Sequence, residues 1–469
     1  MRQRADGRRR SDNPLRLVLA VGLSGSMLLG GLWVWLDGLG SRAQALDNTA
    51  QTASARRPVL SVRRTPDVLS LVTRTARVTS RVDELLSALP DGSCLTVKWL
   101  GTRMANVNPD TQLVPGSVMK LVTAAAALDA LGPDRTFATS VRVSRNPDGT
   151  VADLYLVGGG DPLLTRDEYV GTEKYPTFNN TRLEAIADRI VAAGVGSVSG
   201  RVIGVDTFFD AERYVKDWPT GFHGVEAGPL GALMVNDGAV VGQPTKPDDP
   251  ALAASQELLS LLASRGVAVA AGAAHDVLPE GTEELFVQQS QPLTAVVQEM
   301  LVNSDNNTAE ILLKHVGLVR KGVGSTANGV AAVSELLGEW GIRSGVIVVD
   351  GSGLSSGNRL TCAAVMRILD QRAAVMPGLL AVAGRTGTLR DVLEGTPAEG
   401  VLVGKTGTLS GVKSLAGYVP TESEVPLEFA LLMNRRGIDN RSAYRPVWSR
   451  LAESVGRASA EPRPTELAP

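Results

Sequence analysis

The sequence predicts a mixed α/β (α+β) protein in which one domain is interrupted by a mostly β insertion. A strand-like alternation at Leu95, Val97 and Trp99 precedes an Ala- and Leu-rich helical segment at 118–131. Short strands and turns then fill residues 137–290, and apolar helices with two further strands follow. This order of strand, helix, inserted block, helices and paired strands favours an interrupted α/β domain.

The same patterns give the predicted limits of each segment. In chain order these are a basic segment and membrane anchor or signal at 1–45, a linker at 46–78, the first part of the discontinuous domain at 79–136, the insertion at 137–290, the second part at 291–456, and a flexible tail at 457–469. Apolar residues at i, i+3, i+4 and i+7, starting at Val82, predict a helix at the start of the domain. The two closing strands are predicted at 401–406 and 427–433.

Composition excludes several classes of function. The 469 residues include 47 basic and 49 acidic side chains, an even balance that argues against nucleic acid as the main partner. The three histidines and two cysteines offer neither zinc-ligand spacing nor a C-x-x-C pair. We therefore predict no metal and no cofactor.

The first 45 residues predict export. Six arginines lie between positions 2 and 16, and the run 17–36 contains no charge, which is about the span of a bilayer. The positive-inside rule then gives a single-pass membrane protein whose main domain is extracytoplasmic. A signal peptide cleaved after Ala45, which would leave a secreted protein, is the alternative. Export would allow a disulfide between Cys94 and Cys362, although two separate thiols fit the sequence equally well.

Ser117 and Lys120 stand three residues apart where the 118–131 helix begins, so their side chains share one face. A desolvated, neutral lysine is able to take the serine proton, and the helix N-terminus offers an N–H to a developing oxyanion. The spacing is weak evidence alone, because Ser410 and Lys413 repeat it.

Two further motifs strengthen that hypothesis. Ser304-Asp305-Asn306 follows an apolar helix and offers a hydroxyl for proton relay and an amide to hold a substrate carbonyl. Lys405-Thr406-Gly407-Thr408 follows a strand-like run and offers an ammonium and hydroxyls for a carboxylate, with a glycine that leaves the strand edge open to a peptide. The three motifs in this order favour serine acyl-transfer chemistry.

With these motifs the chain resembles the penicillin-binding protein and serine β-lactamase superfamily, whose signature is S-x-x-K, S-x-N and K-T-G. Within it the chain is most similar to the D-alanyl-D-alanine carboxypeptidase/endopeptidase family of class C low-molecular-mass penicillin-binding proteins. The stretches that carry the similarity are 115–120, 158–162, 304–310, 350–355 and 404–409. The resemblance implies a five-stranded antiparallel sheet flanked by helices, with extra domains inserted between the first two motifs.

The resemblance also implies roles for individual residues. Ser117 would be the acylated nucleophile, Lys120 its base and Ser304 a proton relay. Substrate would be bound by Asn306, Lys405, Thr406, Gly407 and Thr408, with the N–H groups of Ser117 and Thr408 as the oxyanion hole. The implied partners are peptidoglycan stem peptides, cleaved at D-Ala-D-Ala with peptide cross-links as a further target, and β-lactam antibiotics bound covalently at Ser117.

Several alternatives stay open at this point. A serine β-lactamase, a transpeptidase and a non-catalytic peptidoglycan-binding protein share parts of the signature. Asp217 and Glu226 are candidates for the acidic residue with which this family reads the amino group of the stem peptide. The Gly384-Arg385-Thr386-Gly387-Thr388 stretch imitates a K-T-G motif, and we interpret it as a structural turn.

Overall fold

The computed structural model describes residues 65–421 and 425–457. The predicted basic segment and membrane anchor or signal, most of the linker and nearly all of the tail lie outside these residues. Within them, no helix is both long and apolar enough to cross a bilayer. The first helix, Thr65–Leu86, begins inside the segment predicted to be a linker. Both large sheets and the candidate site lie in one compact unit, Val72–Arg463.

Helices and strands are interspersed along the described chain. In chain order the helices are α1 Thr65–Leu86, α2 Lys120–Leu131, α3 Asp167–Val170, α4 Leu183–Ala192, α5 Pro250–Ser264, α6 Leu293–Asn303, α7 Asn306–Lys321, α8 Thr326–Glu339, α9 Cys362–Gln371 and α10 Arg441–Gly456. The strands are β1 Ser93–Trp99, β2 Thr102–Val107, β3 Ala138–Arg145, β4 Val151–Gly158, β5 Leu164–Thr165, β6 Thr181–Arg182, β7 Ser197–Val198, β8 Val202–Val205, β9 Ala268–Val269, β10 Ala273–His275, β11 Glu283–Gln289, β12 Val346–Ile347, β13 Arg359–Leu360, β14 Ala381–Val382, β15 Val403–Leu409, β16 Val412–Val419 and β17 Leu427–Asn434.

The larger sheet is antiparallel with the order β14-β15-β16-β17-β1-β2. Five of its strands have six to eight residues, as the resemblance implied, and the two-residue strand β14 adds a sixth at one edge. The count of five came from the resemblance, and a two-residue strand is too short to show alternation in the sequence.

Helices cover both faces of this sheet, which confirms the predicted mixed fold. Along β17, Ala430 and Leu432 pack in the core that includes α2, α6 and α7. Phe429 and Leu431 point the other way, into the core that α1 and α10 share. Because both faces are covered, β17 is almost continuously apolar, and this is why the sequence showed it as an apolar run.

A second sheet is built from the chain between β3 and β11. Its order is β10-β8-β4-β3-β11, with parallel pairs around β8 and antiparallel pairs around β3. Helices α4 and α5 pack on it through a separate apolar core that contains Ile186 and Leu258. The segment thus combines a mixed sheet with a layer of helices.

A disulfide joins Cys94 of β1 to Cys362 at the start of α9, with 6.0 Å between the Cα atoms. The sequence left this pairing open. The bond links the larger sheet to a helix on the face that carries α2.

Candidate active site

Ser117 lies in a short 3₁₀ turn, Gly116–Met119, that leads directly into α2. Lys120 is the first residue of that helix, and its Nζ lies 3.1 Å from Ser117 Oγ. The one-face arrangement predicted from the three-residue spacing is therefore present, and the two groups are within reach of a proton transfer.

The Lys120 ammonium is fully buried and held from two more sides. Its Nζ donates to Asn306 Oδ1 at 2.6 Å and to the Ser352 carbonyl at 2.7 Å. Burial lowers the pKa of Lys120 to about 8, while the nearby carboxylates of Glu310 and Asp305 act against that shift. A lysine with such a pKa is neutral often enough near physiological pH to act as a base.

The S-x-N motif lies at the junction of α6 and α7. Ser304 ends α6 in the left-handed region, with φ +66°. Asp305 caps α7 by accepting a hydrogen bond from the Thr308 N–H at 3.2 Å. Asn306 Nδ2 donates to the Glu226 carbonyl at 2.7 Å. The tight junction turns Ser304 and Asn306 toward Ser117 and Lys120.

Lys405, on β15, forms a second lysine–serine pair. Its Nζ donates to Ser304 Oγ at 2.8 Å and to the Thr406 carbonyl at 3.0 Å, and the side chain is fully buried. Burial, with Lys120 and Lys413 nearby, holds the pKa of Lys405 well below its usual range. The site thus contains two hydroxyl–amine pairs, one on Ser117 and one on Ser304.

Strand β15 runs directly against the turn that carries Ser117. A Cβ on Gly407 would lie 2.3 Å from the Pro115 carbonyl oxygen and 3.2 Å from the Ser117 nitrogen. A Cβ on Gly116 would lie 3.0 Å from the Thr408 nitrogen. These approaches need glycine, and they place the backbone nitrogens of Ser117 and Thr408 in the contact between the turn and β15.

An open cleft of about 740 Å³ lies in front of these groups. Among the predicted site residues, those that line it are Ser117, Ser304, Asn306, Thr406 and Thr408. Lys120 and Lys405 lie behind its wall, where no solvent reaches them. A substrate in the cleft would meet hydroxyls, an amide and backbone N–H groups, with the two amines behind them.

A buried acidic layer supports the site, and the sequence did not assign it a role. Glu310 accepts from the Gly351 and Ser352 N–H groups, at 3.1 and 2.7 Å. Asp350 accepts from Trp218 Nε1 at 2.9 Å and from the Ser355 N–H at 2.6 Å. These bonds fix the loop whose Ser352 carbonyl holds Lys120. Burial, reinforced by Asp350, raises the pKa of Glu310 to about 8.

The two candidates for the acidic reader of the stem peptide differ in position. Asp217 accepts a hydrogen bond from Ser355 Oγ. Glu226 is exposed and lines the cleft, while its backbone carbonyl holds Asn306. Both side chains are exposed, and of the two it is Glu226 that lines the cleft.

Two residues that line the cleft were not predicted from the sequence to belong to the site. The stretch that imitates K-T-G does form a turn, Gly387–Leu389, but this turn presents Thr388 to the cleft, where its hydroxyl lies 3.0 Å from Thr406 Oγ1. Lys413, the lysine of the repeated S-x-x-K spacing, also lines the cleft, and its Nζ donates to Thr408 Oγ1 at 2.8 Å. The turn that carries Thr388 and the strand that carries Lys413 bring these residues to the cleft, and the sequence motifs in which they occur do not explain this position.

Comparison with known proteins decides the family. The model of the D-Ala-D-Ala carboxypeptidase 3 (S13) family matches residues 82–248 and 243–453. The chain belongs to this family. S13 enzymes are serine hydrolases, so the predicted class of enzyme and the predicted resemblance are both confirmed.

Individual relatives agree with the S13 assignment. A D-alanyl-D-alanine carboxypeptidase of Actinomadura sp. (strain R39) is 31% identical over 81% of this chain and 84% of its own length. A carboxypeptidase of Mycobacterium tuberculosis is 31% identical over 84% of this chain and 86% of its own length. The crystal structure of penicillin-binding protein 4 from Haemophilus influenzae shares the fold, with a TM-score of 0.65, 20% identity and coverage of 79% of this chain and 98% of that one.

Proposed function

We propose that this S13 enzyme cleaves the D-Ala-D-Ala bond of peptidoglycan stem peptides through an acyl-enzyme on Ser117, and that β-lactams acylate the same serine. One observation carries the proposal: the fully buried Lys120 amine lies 3.1 Å from Ser117 Oγ at the wall of an open cleft. This geometry supports a serine nucleophile with its own base.

Acylation follows from the positions of these groups. Neutral Lys120 removes the proton from Ser117 Oγ as the oxygen attacks the carbonyl carbon of the penultimate D-Ala. The N–H groups of Ser117 and Thr408 bind the oxyanion that forms, a role supported by the close approach of β15 to the Ser117 turn. Removing one such donor typically costs about 100- to 1,000-fold in rate.

Release of the leaving D-Ala requires a proton on its nitrogen. Ser304 Oγ faces the cleft and is 2.8 Å from Lys405 Nζ, so this pair is placed to deliver it. Asn306 holds the substrate amide, and Thr406 and Thr408 receive the terminal carboxylate. Water then attacks the ester, releases the shortened peptide and restores Ser117.

We extend the proposal to peptide cross-links. The cleft continues past Thr408 to Arg441 and Arg445, so that a leaving group longer than alanine has room. A cross-linked dimer peptide offered beside the D-Ala-D-Ala pentapeptide would measure the two activities, and absence of dimer cleavage would remove the endopeptidase part.

The test of the nucleophile is the intact mass of the domain from residue 46 onward, with and without benzylpenicillin. We expect a single stable adduct and D-Ala release in the wild type, and neither in Ser117→Ala. Release that persists in Ser117→Ala would refute the mechanism. Rapid penicillin hydrolysis without an adduct would instead favour the β-lactamase alternative, and wild-type protein with neither reaction would favour the binding-only alternative.

Export is also part of the proposal. The basic residues followed by the apolar run 17–36 support a membrane anchor or a signal cleaved after Ala45. The Cys94–Cys362 disulfide supports an oxidising, extracytoplasmic location. Mass analysis of the protein from membrane and culture fractions would distinguish anchor from cleavage, and a reduced, full-length cytoplasmic form would contradict export.

A further inference from the structure

The far end of the cleft contains a lysine with no assigned role. Lys413 lies on β16, is almost fully buried, and lines the cleft beside Thr408. Its Nζ donates to Thr408 Oγ1 at 2.8 Å and lies 4.1 Å from the centre of the Tyr444 ring and 4.9 Å from that of Trp448. These contacts fix the position of the ammonium at the cleft surface.

The register of the sheet puts Lys413 on the substrate side. Lys413 pairs with Thr408 across β15 and β16, so the two side chains share one face. Thr406 lies on that face too, two residues before Thr408, whereas Lys405 falls on the opposite face by alternation. Thr406, Thr408 and Lys413 therefore form one polar surface in the cleft wall.

The charge of Lys413 lacks a counter-ion in the described part of the chain. No carboxylate there forms an ion pair with its Nζ. The Asp439 carboxylate favours the charged form of Lys413 from a distance, and it accepts a hydrogen bond from the Gly411 N–H at 2.9 Å. Arg441 and Arg445 add further positive charge around it. A buried cation without an anion is costly, and an incoming carboxylate removes that cost.

Lys405 is less available for that task. Its Nζ is engaged by Ser304 Oγ and the Thr406 carbonyl, and it has no exposed surface. The Nζ of Lys413, in contrast, donates to the hydroxyl of Thr408, and both residues line the cleft.

We propose that Lys413, acting with the hydroxyl of Thr408, is the cation that recognises the C-terminal carboxylate of the substrate and the equivalent carboxylate of β-lactams. This inference rests on the proposed D-Ala-D-Ala activity and adds the residue that makes that activity specific for a leaving group with a free carboxylate. Lys413 thereby sets which peptide ends, and which β-lactams, enter the acylation step.

The test compares each ligand with a partner that lacks the negative charge. A peptide ending in D-Ala-D-Ala is paired with its C-terminal amide, and benzylpenicillin is paired with its methyl ester. Lys413→Met keeps the length of the side chain and its packing on Tyr444 and Trp448 but removes the charge, and Lys413→Arg keeps the charge. Lys216→Met, at an exposed lysine away from the cleft lining, is the matched control.

We expect Lys413→Met to raise KM for the free-acid peptide about 10- to 100-fold, the loss expected for a charged hydrogen bond. Acylation by benzylpenicillin should slow by a similar factor, whereas reactions of the amide and of the methyl ester should change by less than about twofold. Lys413→Arg should stay within a few-fold of wild type, and Lys216→Met should match it.

Equal losses on charged and uncharged ligands in Lys413→Met would show that Lys413 only positions Thr408, and would overturn the inference. Unchanged KM for the free acid would overturn it as well. Failure of the proposed function looks different, because the wild type itself would then neither release D-Ala nor take up benzylpenicillin.

Discussion

Individual lysines determine the chemistry of this site, because burial changes what their amines do. Lys120 and Lys405 are fully buried, and in residues 65–421 and 425–457 neither forms an ion pair. Desolvation is the largest cause of the lowered pKa in both. The lowered pKa values support the proposed role of both amines as proton carriers next to Ser117 and Ser304, in contrast to surface lysines, which stay charged.

The pKa of Lys120 gives a signed prediction for the pH dependence. Because the base must be neutral, kcat should rise as pH increases through about 8 and then level off. The kcat values are measured at saturating substrate, so that a change in substrate binding through Lys413 does not affect them. In Lys120→Arg the guanidinium stays charged, so the rise should disappear and kcat should fall about 100-fold or more.

The measurement is a pH series of D-Ala release by both proteins. Lys98→Arg is a suitable control, since Lys98 lies on β1 and pairs with Asp370 outside the cleft. A wild-type kcat that is flat across this range, or that falls as pH rises through about 8, would contradict the role of Lys120 as the base.

At the scale of elements, whether a helix or strand could be predicted from the sequence depended on the length of the segment and on what surrounds it. The helix at 118–131, the closing strand at 427–433 and the apolar helix before Ser304 were predictable because most of their residues are apolar and buried. Strand β16 was missed, since Lys413, Ser414 and Gly417 interrupt its apolar character. Lys413 bonds to Thr408 on β15, and a Cβ on Gly417 would lie 2.1 Å from the Val403 carbonyl oxygen of the same strand. A local sequence pattern does not reveal such neighbours across the sheet.

Close packing between β15 and the Ser117 turn leads to a second prediction. In Gly407→Ala the new Cβ would lie 2.3 Å from the Pro115 carbonyl oxygen, so the strand must move away from the nucleophile. We expect acylation by benzylpenicillin to slow at least about 100-fold, as for loss of an oxyanion donor.

The matched control for that variant is Gly404→Ala in the same strand, where the Cβ would lie 3.1 Å from the Ala416 carbonyl oxygen and away from Ser117. Its acylation rate should fall much less. Stopped-flow or mass measurement of both rates tests this, and equal rates in the two variants would show that the approach of β15 is unimportant for catalysis.

At the scale of the whole molecule, the segment between the first two motifs takes part in building the site. Trp218 reaches Asp350, the Glu226 carbonyl holds Asn306, and Asn307 Oδ1 accepts from the Gly228 N–H at 2.7 Å. The sequence identified the motif residues from their chemistry. It offered no means of predicting these supporting contacts, which join residues far apart in the chain.

Trp218→Phe tests this support. The variant removes one hydrogen bond to the buried Asp350 carboxylate, and the free energy of unfolding should fall by about 1.5–3 kcal/mol. Acylation should also slow, because Asp350 fixes the loop that holds Lys120 through Ser352. Urea unfolding and benzylpenicillin acylation measure the two effects.

Trp340→Phe is the control, since Trp340 Nε1 makes the same kind of bond to Asp129 near the surface, 2.9 Å long. It should lose less stability and keep its acylation rate. If Trp218→Phe and Trp340→Phe acylate equally fast, the Trp218–Asp350 hydrogen bond has no part in positioning the base.

The order of strands in the larger sheet sets when the cleft comes into existence. Strand β1 pairs with β17, Ser93 opposite Met433, and β17 separates β1 from β16 and β15. The second sheet uses only residues between Ala138 and Gln289, so it is able to form from a local stretch of chain. A growing chain therefore has no complete acylation site until β17 has been added, and the polypeptide stays catalytically silent through most of its synthesis.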